Sequence, residues 1–263
     1  MSNDFKWNGA EYSSANGIQT SVDGRLIEST AFLPDMSVLD AGCGSGDLTF
    51  LLARKVPCGH VTAVDLSESM IQQAEKSLKT QALRNIEFHV CGVNELEYEN
   101  KFDLVFSNSV LHWVTEIEDC IARFYRALKH GGILRVQFPL LNAEHPLVSY
   151  AERAIRELGA TERCAKWSFP WYVPSGGEQF VRLLKDSGFA DAEAAPESGM
   201  FSFPSADAVY KHFDSVGLNL FAAPLGEREK AAFPGRVRSD LREDFPTGAE
   251  LRYERIFAKA IKP

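Results

Sequence analysis

Short apolar segments alternate with amphipathic segments between Val38 and Phe138, and this alternation constrains the fold more than any other feature of the sequence. The apolar segments are rich in β-branched residues or alternate with a period of two, which indicates strands. They span residues 38–39, 61–64, 86–90, 104–106 and 133–138. Repeated strand–helix–strand units predict right-handed crossovers and a parallel sheet that is covered by helices on both faces.

The intervening segments carry helix signals. One face of the first helix is predicted to carry Leu48, Leu51, Leu52 and Val56, and Pro57 is expected to end this helix. Ser67 is predicted to cap the next helix at its N-terminus, and the glycines at 131–132 are predicted to end the helix before the fifth strand. The core is therefore expected to be a doubly wound α/β sheet.

The chain beyond Phe138 loses this regularity. Residues 139–174 show no strand pattern and contain Trp167, Phe169 and Trp171, which predicts a cap insert. A helix is expected near 175–188, with two further strands near 200–203 and 251–258. We therefore predict one α/β domain over 1–263 with a mostly parallel seven-stranded sheet. Its parts are an entry segment (1–34), a cofactor-binding core (37–138) and helical cap inserts at 139–174 and 205–245.

Charge and cysteine content exclude several functional classes. The 28 Lys and Arg residues against 36 Asp and Glu residues give a net charge of -8, which argues against nucleic acid and anionic membranes as partners. The five cysteines form no Cys-x-x-Cys pair, so neither a metal site nor a disulfide framework is predicted. No signal peptide or membrane span is visible, and a cytoplasmic location is expected.

A glycine loop follows the first predicted strand. Glycines alternate at Gly42, Gly44 and Gly46, where the backbone can turn sharply and the next helix presents free N–H groups to an anion. Asp65 ends the second strand 19 residues after Gly46. An acid at about this spacing, ~20 residues on, hydrogen-bonds ribose hydroxyls in doubly wound folds. The loop and the acid together predict an adenosine-containing ligand.

Two features argue against a dinucleotide. The third glycine comes one residue earlier than in the Gly-x-Gly-x-x-Gly fingerprint, and Asp40 places a carboxylate where a pyrophosphate would bind. An acid at that position is better matched to an ammonium group. The segments 40–46, 61–70, 102–108 and 128–138 resemble, in order and spacing, the motifs of class I S-adenosylmethionine-dependent methyltransferases.

That resemblance implies a Rossmann-like fold, S-adenosylmethionine as cofactor and S-adenosylhomocysteine as product. The cofactor-binding positions that it implies are Asp40, Gly42, Cys43, Gly44, Gly46, Asp65, Leu66, Met70, Gly92, Val93 and Asn108. The sequence departs from the family at Gly92, where an acid usually binds the adenine amino group. Adenine would then depend on backbone groups, on Asn94 or on water.

The arrangement around this core resembles the branch that contains trans-aconitate and juvenile hormone acid methyltransferases. By that resemblance, Gln19 and Trp113 face the substrate pocket. Both side chains are hydrogen-bond donors, and an ionised carboxylate acceptor needs positioning but no general base. A hydroxyl or amine acceptor would need a base, for which His112 is the candidate. Gln19, His112 and Trp113 are thus the predicted catalytic residues, although each also has an ordinary structural interpretation.

The sequence favours O-methylation of a carboxylate on a small molecule. Methylation of a hydroxyl, an amine or a carbon of a small metabolite is the alternative within the same class. A nicotinamide-dependent oxidoreductase and a non-catalytic cofactor-binding module are the alternatives from other classes. The acceptor and the oligomeric state are left open by the sequence.

Overall fold

A computed structural model describes residues 19–142, 144–167 and 171–263, with the backbone alone for residues 19–23. Its seven strands form one sheet in the order β3-β2-β1-β4-β5-β7-β6. The strands, numbered along the chain, are β1 Ser37–Ala41, β2 His60–Asp65, β3 Ile86–Val90, β4 Phe102–Asn108, β5 Leu128–Pro139, β6 Ala190–Phe203 and β7 Ala249–Ile261. The predicted seven-stranded α/β sheet is confirmed.

Strand directions set the position of the ligand crevice. β1 pairs in parallel with both β2 and β4, β2 with β3, and β4 with β5, whereas β7 runs antiparallel to β5. The order of the strands therefore reverses at β1, between β2 and β4. Ligands of open α/β sheets bind outside the carboxyl ends of the strands at such a switch point.

Helices follow the parallel strands as the apolar periodicity predicts, but the prediction that Leu51 lies on the buried face is wrong, since it is 44% exposed. Ser67 caps its helix by accepting a hydrogen bond from the Met70 N–H at 3.4 Å. The α-helices are Gln19–Glu28, Asp47–Lys55, Glu68–Leu78, Ile117–Ala127, Pro146–Glu157, Thr161–Cys164, Gly177–Asp186, Ala206–Ser215 and Glu227–Asp244. Three 3-10 turns span Val93–Glu95, Leu111–Trp113 and Leu218–Ala222.

The prediction that Gly131 and Gly132 end a helix is wrong. The helix ends at Ala127, and β5 begins immediately, with Leu128 in extended backbone. Gly131 has φ +76°, and its N–H donates to the Lys262 carbonyl at 2.8 Å. The Lys262 N–H in turn donates to the Gly132 carbonyl at 2.9 Å. The glycines therefore let the start of β5 bend and pair with the C-terminal end of the chain.

The chain divides into two compact groups of residues. The first takes in the described residues up to Pro139 together with Pro174–Glu197 and Arg255–Pro263. One face of its sheet packs against the helices Gln19–Glu28 and Asp47–Lys55. The buried residues of that layer are Leu26, Ile27, Val38, Leu52, Ala53, Val56, Val61, Leu104 and Phe106.

The second group comprises Leu140–Val173 and Ser198–Glu254. It has an aromatic core in which the ring of the fully buried Phe221 lies 5.7 Å from that of Trp171 and 6.0 Å from that of Trp167. These two tryptophans therefore pack inside this group, and Phe169 lies outside the described residues. Within the described chain, no helix is long and apolar enough to cross a membrane.

Candidate functional site

The glycine loop connects the carboxyl end of β1 to the helix Asp47–Lys55. The N–H groups of Gly42 and Cys43 both donate to the Val64 carbonyl on β2, at 2.8 and 2.9 Å. Gly42, Gly44 and Gly46 have φ values of +84°, +53° and +86°. Side chains rarely tolerate such backbone, so the alternate glycines are required for this turn. The loop consequently lies over the carboxyl end of the sheet at the switch point.

The three glycines have different surroundings. A Cβ on Gly42 would lie 2.1 Å from Cγ2 of Val110, a residue just after β4. A Cβ on Gly46 would lie 3.0 Å from Cβ of Ala74 on the next helix. No atom lies within 4 Å of a Cβ built on Gly44. The loop is therefore packed against the protein at both ends and open in the middle, where a ligand can approach its backbone.

Asp40 lies just before the loop and is only 2% exposed. Its Oδ2 accepts a hydrogen bond from the Thr49 hydroxyl at 2.7 Å. Burial raises the pKa of Asp40 from its ordinary 3.8 to about 7; the Thr49 hydrogen bond lowers it and the charge of Asp65 adds to the rise. Burial disfavours the ionised carboxylate, and a cationic partner would stabilise that ionised form. Asp40 can therefore hold an ammonium group.

Asp65 ends β2 and faces the same loop. Its Oδ2 accepts from the Gly44 N–H and its Oδ1 from the Ser67 N–H, both at 2.9 Å. Burial raises the pKa of Asp65, and these two backbone hydrogen bonds lower it. An ionised carboxylate has about four acceptor positions, so it can accept from a diol in addition to these bonds. The geometry fits the ribose role that the sequence implies.

The positions that follow Asp65 differ in exposure. Leu66 is 71% exposed, which leaves a large apolar side chain next to the proposed ribose acid. Met70 is only 3% exposed and belongs to the buried face of its helix. Cys43 is also buried, and burial, with the charges of Asp40 and Asp65, raises the pKa of its thiol. The thiol is therefore protonated at neutral pH and is unsuited to nucleophilic attack.

A different acid, Glu95, lies next to Gly92 in the segment after β3. The Gly92 N–H donates to Oε2 of Glu95 at 2.8 Å, and a Cβ built on Gly92 would lie 3.2 Å from that oxygen. The same Cβ would lie 3.5 Å from Cδ1 of Leu66. Oδ1 of Asn94 is buried, and no described atom hydrogen-bonds to it. The segment directly after β3 thus carries a carboxylate that holds its backbone and a buried amide oxygen.

Two of the three residues predicted to be catalytic follow β4. His112 is 5% exposed, and the centroid of its ring lies 4.9 Å from that of the partly buried Trp113. Because Val110 contacts Gly42, the turn Leu111–Trp113 begins next to the glycine loop. Gln19 is the first residue of its helix, in the segment whose side chains are not described. Asn108 ends β4, and its Oδ1 accepts from Gln137 Nε2 at 2.5 Å.

Sequence reasoning missed several polar residues of this site. Thr49 lies nine residues after Asp40, to which it donates, and Glu95 lies three residues after Gly92, from which it accepts. The spacing of Glu95 is that of a capping box and could have indicated this residue. Gln137 and its partner Arg255 have no local sequence signal, since they are 118 residues apart. Among the described residues, no group of three His, Cys, Asp or Glu side chains is arranged to hold a metal ion.

Comparison with known proteins identifies relatives over most of the chain. The family model described as "Methyltransferase domain" matches residues 33–186, which is more than half of the sequence. A trans-aconitate 2-methyltransferase of Deinococcus radiodurans is 29% identical over 238 residues, covering 88% of both chains. A malonyl-[acyl-carrier protein] O-methyltransferase of Priestia megaterium is 35% identical over 127 residues, covering 47% of this chain and 45% of that protein.

A solved structure shares the fold. The phosphoethanolamine N-methyltransferase 2 of Haemonchus contortus, solved with phosphomonomethylethanolamine and S-adenosylhomocysteine, superposes with a TM-score of 0.61 at 20% identity. The match covers 97% of this chain and 57% of that one. The two proteins therefore share a fold.

Proposed function

This chain belongs to the methyltransferase domain family and is an S-adenosylmethionine-dependent methyltransferase, and we propose that its acceptor is a carboxylate of a small molecule. The observation that carries the proposal is the similarity to the trans-aconitate 2-methyltransferase, which covers 88% of both chains and so extends beyond residues 33–186. Acceptor specificity depends on the regions outside the common core. Family membership sets aside the oxidoreductase and the non-catalytic alternatives.

The proposed cofactor site uses the groups around the glycine loop. Asp40 binds the ammonium group of the methionine part, and Asp65 accepts hydrogen bonds from the ribose diol. The open backbone at Gly44 lets the cofactor approach the loop closely. Gly42, Cys43 and Gly46 shape the turn, and Ala74, on the buried face of the helix after β2, lies against Gly46; Met70 belongs to the same buried face.

Adenine is proposed to lie against Leu66 and the segment after β3. A Cβ on Gly92 would lie 3.5 Å from Cδ1 of Leu66, so these two residues form one wall, and the 71% exposed side chain of Leu66 offers the ring an apolar surface. We propose that Oδ1 of Asn94 accepts a hydrogen bond from the adenine amino group, because no described atom donates to this buried oxygen. Glu95 organises this segment by accepting from the Gly92 N–H.

The chain's own contribution to chemistry is orientation and exclusion of water. Bound S-adenosylmethionine supplies a methyl group on a positively charged sulfur. A carboxylate acceptor is ionised above about pH 4–5, so the protein has only to place one oxygen in line with that methyl group. Gln19 and Trp113 are proposed to donate hydrogen bonds to the acceptor, Asn108 to border the cofactor, and the buried His112 to keep water from this end of the site.

The partners and the location form part of the same proposal. With a net charge of -8, the protein is proposed to act on a small molecule and to bind no nucleic acid. All five cysteines are free thiols. This state fits the cytoplasm, where thiols stay reduced, and we propose that the enzyme acts there.

The test is an acceptor screen with the purified protein and isotopically methyl-labelled S-adenosylmethionine. Small di- and tricarboxylates, monocarboxylates, phenols and amines are assayed in parallel, and products are identified by mass spectrometry. Mild alkali then separates the classes, since it cleaves methyl esters but leaves methyl ethers and methylamines intact. The Asp65→Ala variant serves as a control that should give no product with any acceptor.

We expect labelled product from carboxylates only, with the label released as methanol in alkali. Product from phenols or amines alone would contradict the proposal and assign a base to the site, with His112 as the first residue to test. Binding of S-adenosylhomocysteine without product from any carboxylate would also contradict it.

A further inference from the structure

Asp40 and Thr49 form a buried pair that links the two sides of the glycine loop. Asp40 lies in β1, before the loop, and Thr49 is the third residue of the helix Asp47–Lys55, after it. The Thr49 hydroxyl donates to Asp40 Oδ2 at 2.7 Å, and Thr49 is completely buried. The helix that follows the loop therefore carries a donor back to the carboxylate that precedes it.

The hydrogen bond fixes one oxygen of the carboxylate and leaves the other. Among the described residues, none donates a hydrogen bond to Oδ1 of Asp40. Threonine is β-branched, and its side chain has few rotamers in a helix, so the donor is held in place. Because an ionised carboxylate has about four acceptor positions, the Thr49 contact does not block a further donor. Thr49 thus orients Asp40 and leaves Oδ1 for a cation.

The hydrogen bond also favours the ionised carboxylate. Burial raises the pKa of Asp40 to about 7, and the Thr49 hydrogen bond is the contact that lowers it. Its strand neighbours, Ala63 on β2 and Phe106 on β4, are apolar. A hydroxyl donates more strongly to a carboxylate than to a neutral carboxylic acid, so the bond stabilises the charged form. Without the hydroxyl, Asp40 would be protonated to a larger extent near neutral pH and would bind a cation less well.

The titratable groups described around Asp40 carry no positive charge. Asp65, at the end of β2, raises the pKa of Asp40 by its own charge. Cys43, in the loop, has a thiol whose pKa is raised by burial, so it is neutral at the pH of interest. Asp47, in the first turn of the same helix as Thr49, is exposed. In the described structure, Thr49 is therefore the group that stabilises the negative charge of Asp40 before a ligand binds.

We propose that Thr49 is a positioning residue for the cofactor, whose hydroxyl keeps Asp40 ionised and oriented for the ammonium group of the methionine part. This inference rests on the proposed contact between Asp40 and that ammonium group. Thr49 acts through Asp40 and does not itself touch the cofactor, since its side chain is completely buried. It thereby sets the pH range over which the cofactor binds.

Thr49→Val tests this role because it removes the hydroxyl and keeps the shape of the side chain. Loss of one hydrogen bond to an ionised group should move the pH dependence of cofactor binding upward by about one pH unit. Calorimetry with S-adenosylhomocysteine, in half-unit steps from pH 6 to pH 8.5, measures the Kd of the variant and of the wild type. Comparison of the two proteins at each pH cancels the titration of the ligand's own ammonium group.

The expected effect of Thr49→Val changes with pH. At pH 6 its Kd should be about tenfold that of the wild type, because the ionised fraction of Asp40 is about tenfold smaller in the variant. At pH 8.5, where Asp40 is mostly ionised in both proteins, the two Kd values should agree within about twofold. A side chain that only supported the fold would weaken binding by the same factor at every pH.

Two more variants at the same position separate the hydroxyl from the packing. Thr49→Ser keeps the hydroxyl and should follow the pH profile of the wild type. Thr49→Ala removes the hydroxyl with a smaller side chain and should give the profile of Thr49→Val, which repeats the test independently of how valine packs. Circular dichroism at pH 6 checks that each variant is folded.

Thr62→Val is the matched control. Thr62 is 1% exposed, and its hydroxyl donates to Glu87 Oε1 at 2.6 Å, so the same substitution removes a bond between a buried threonine and a different carboxylate. Thr62 pairs with Leu39, the residue before Asp40, and its side chain therefore lies on the other face of the sheet. The Kd of Thr62→Val should match that of the wild type at every pH.

The outcomes separate this inference from the proposed function. If Thr49→Val matches the wild type, or weakens binding by one factor at every pH, the inference is overturned and the contact between Asp40 and the ammonium group stands. If the Kd of the wild type does not change between pH 6 and pH 8.5, that contact and the inference both fail. The methylated acceptor is decided separately by the product assay, since the binding measurement contains no acceptor.

Discussion

Replacement of Asp40 by asparagine tests the electrostatics on which the cofactor site depends. The buried carboxyl has a pKa of about 7 in the folded protein against an ordinary 3.8. Between these two pH values the folded state holds a proton that the unfolded chain has released, so raising the pH favours unfolding. The stabilisation from this proton is complete below about pH 4 and is lost as the pH rises through about 7.

The magnitude follows from the same two values. A difference of about 3 pH units, at about 1.4 kcal/mol per unit, means that ionised Asp40 lowers the free energy of unfolding by about 4 kcal/mol above pH 7. Asparagine keeps an oxygen that can accept from Thr49 but cannot ionise. The free energy of unfolding of Asp40→Asn relative to wild type should therefore rise by about 2.5 kcal/mol between pH 5 and pH 7.

Urea unfolding of the cofactor-free protein, at half-unit steps from pH 5 to pH 8, measures this difference directly. Asp47→Asn removes a carboxylate from an exposed position in the first turn of the next helix and controls for the loss of charge as such. A difference between Asp40→Asn and wild type that stays within ~0.5 kcal/mol across this range, or that falls as the pH rises, would refute the reasoning.

Three further predictions concern the glycine loop and its acids. The affinity of the wild type for S-adenosylhomocysteine should weaken by up to about tenfold per pH unit below pH 7, because an ammonium group beside Asp40 requires the ionised carboxylate. Calorimetry at several pH values measures this affinity, and an affinity that does not change with pH would contradict the prediction. Asp65→Ala should weaken S-adenosylhomocysteine binding at least ~100-fold because the ribose loses its charged acceptors, while the circular dichroism spectrum stays that of the wild type. An affinity close to that of the wild type would show that Asp65 is not part of the site. Gly42→Ala should lower the free energy of unfolding in urea by about 2–3 kcal/mol because its Cβ would collide with Val110, whereas Gly44→Ala should lower it by about 1 kcal/mol because only backbone strain is added. The opposite ranking would show that the loop repacks.

Local sequence determined the features that depend on neighbouring residues. The alternation of apolar segments defined the parallel core, since periodicity of burial is a property of each segment. The glycine loop from Asp40 to Gly46 was recognisable because a sharp turn needs glycine, and Asp65 was correctly predicted to end the second strand. Ser67 was predicted as a helix cap, and its hydroxyl accepts the expected hydrogen bond.

Tertiary structure decided the features that join distant segments. Pairing of β7 with β5 brings Arg255 to Gln137, 118 residues away, and no local pattern marks either residue. The same pairing at the C-terminal end explains why Gly131 and Gly132 bend a strand and do not end a helix. Burial of Asp40 likewise depends on the packed sheet and the adjoining helix, so its pKa could not be inferred from its neighbours in sequence. Short-range propensities specify turns and individual helices and strands. The register between strands and the exclusion of solvent from buried groups arise only when the chain has folded.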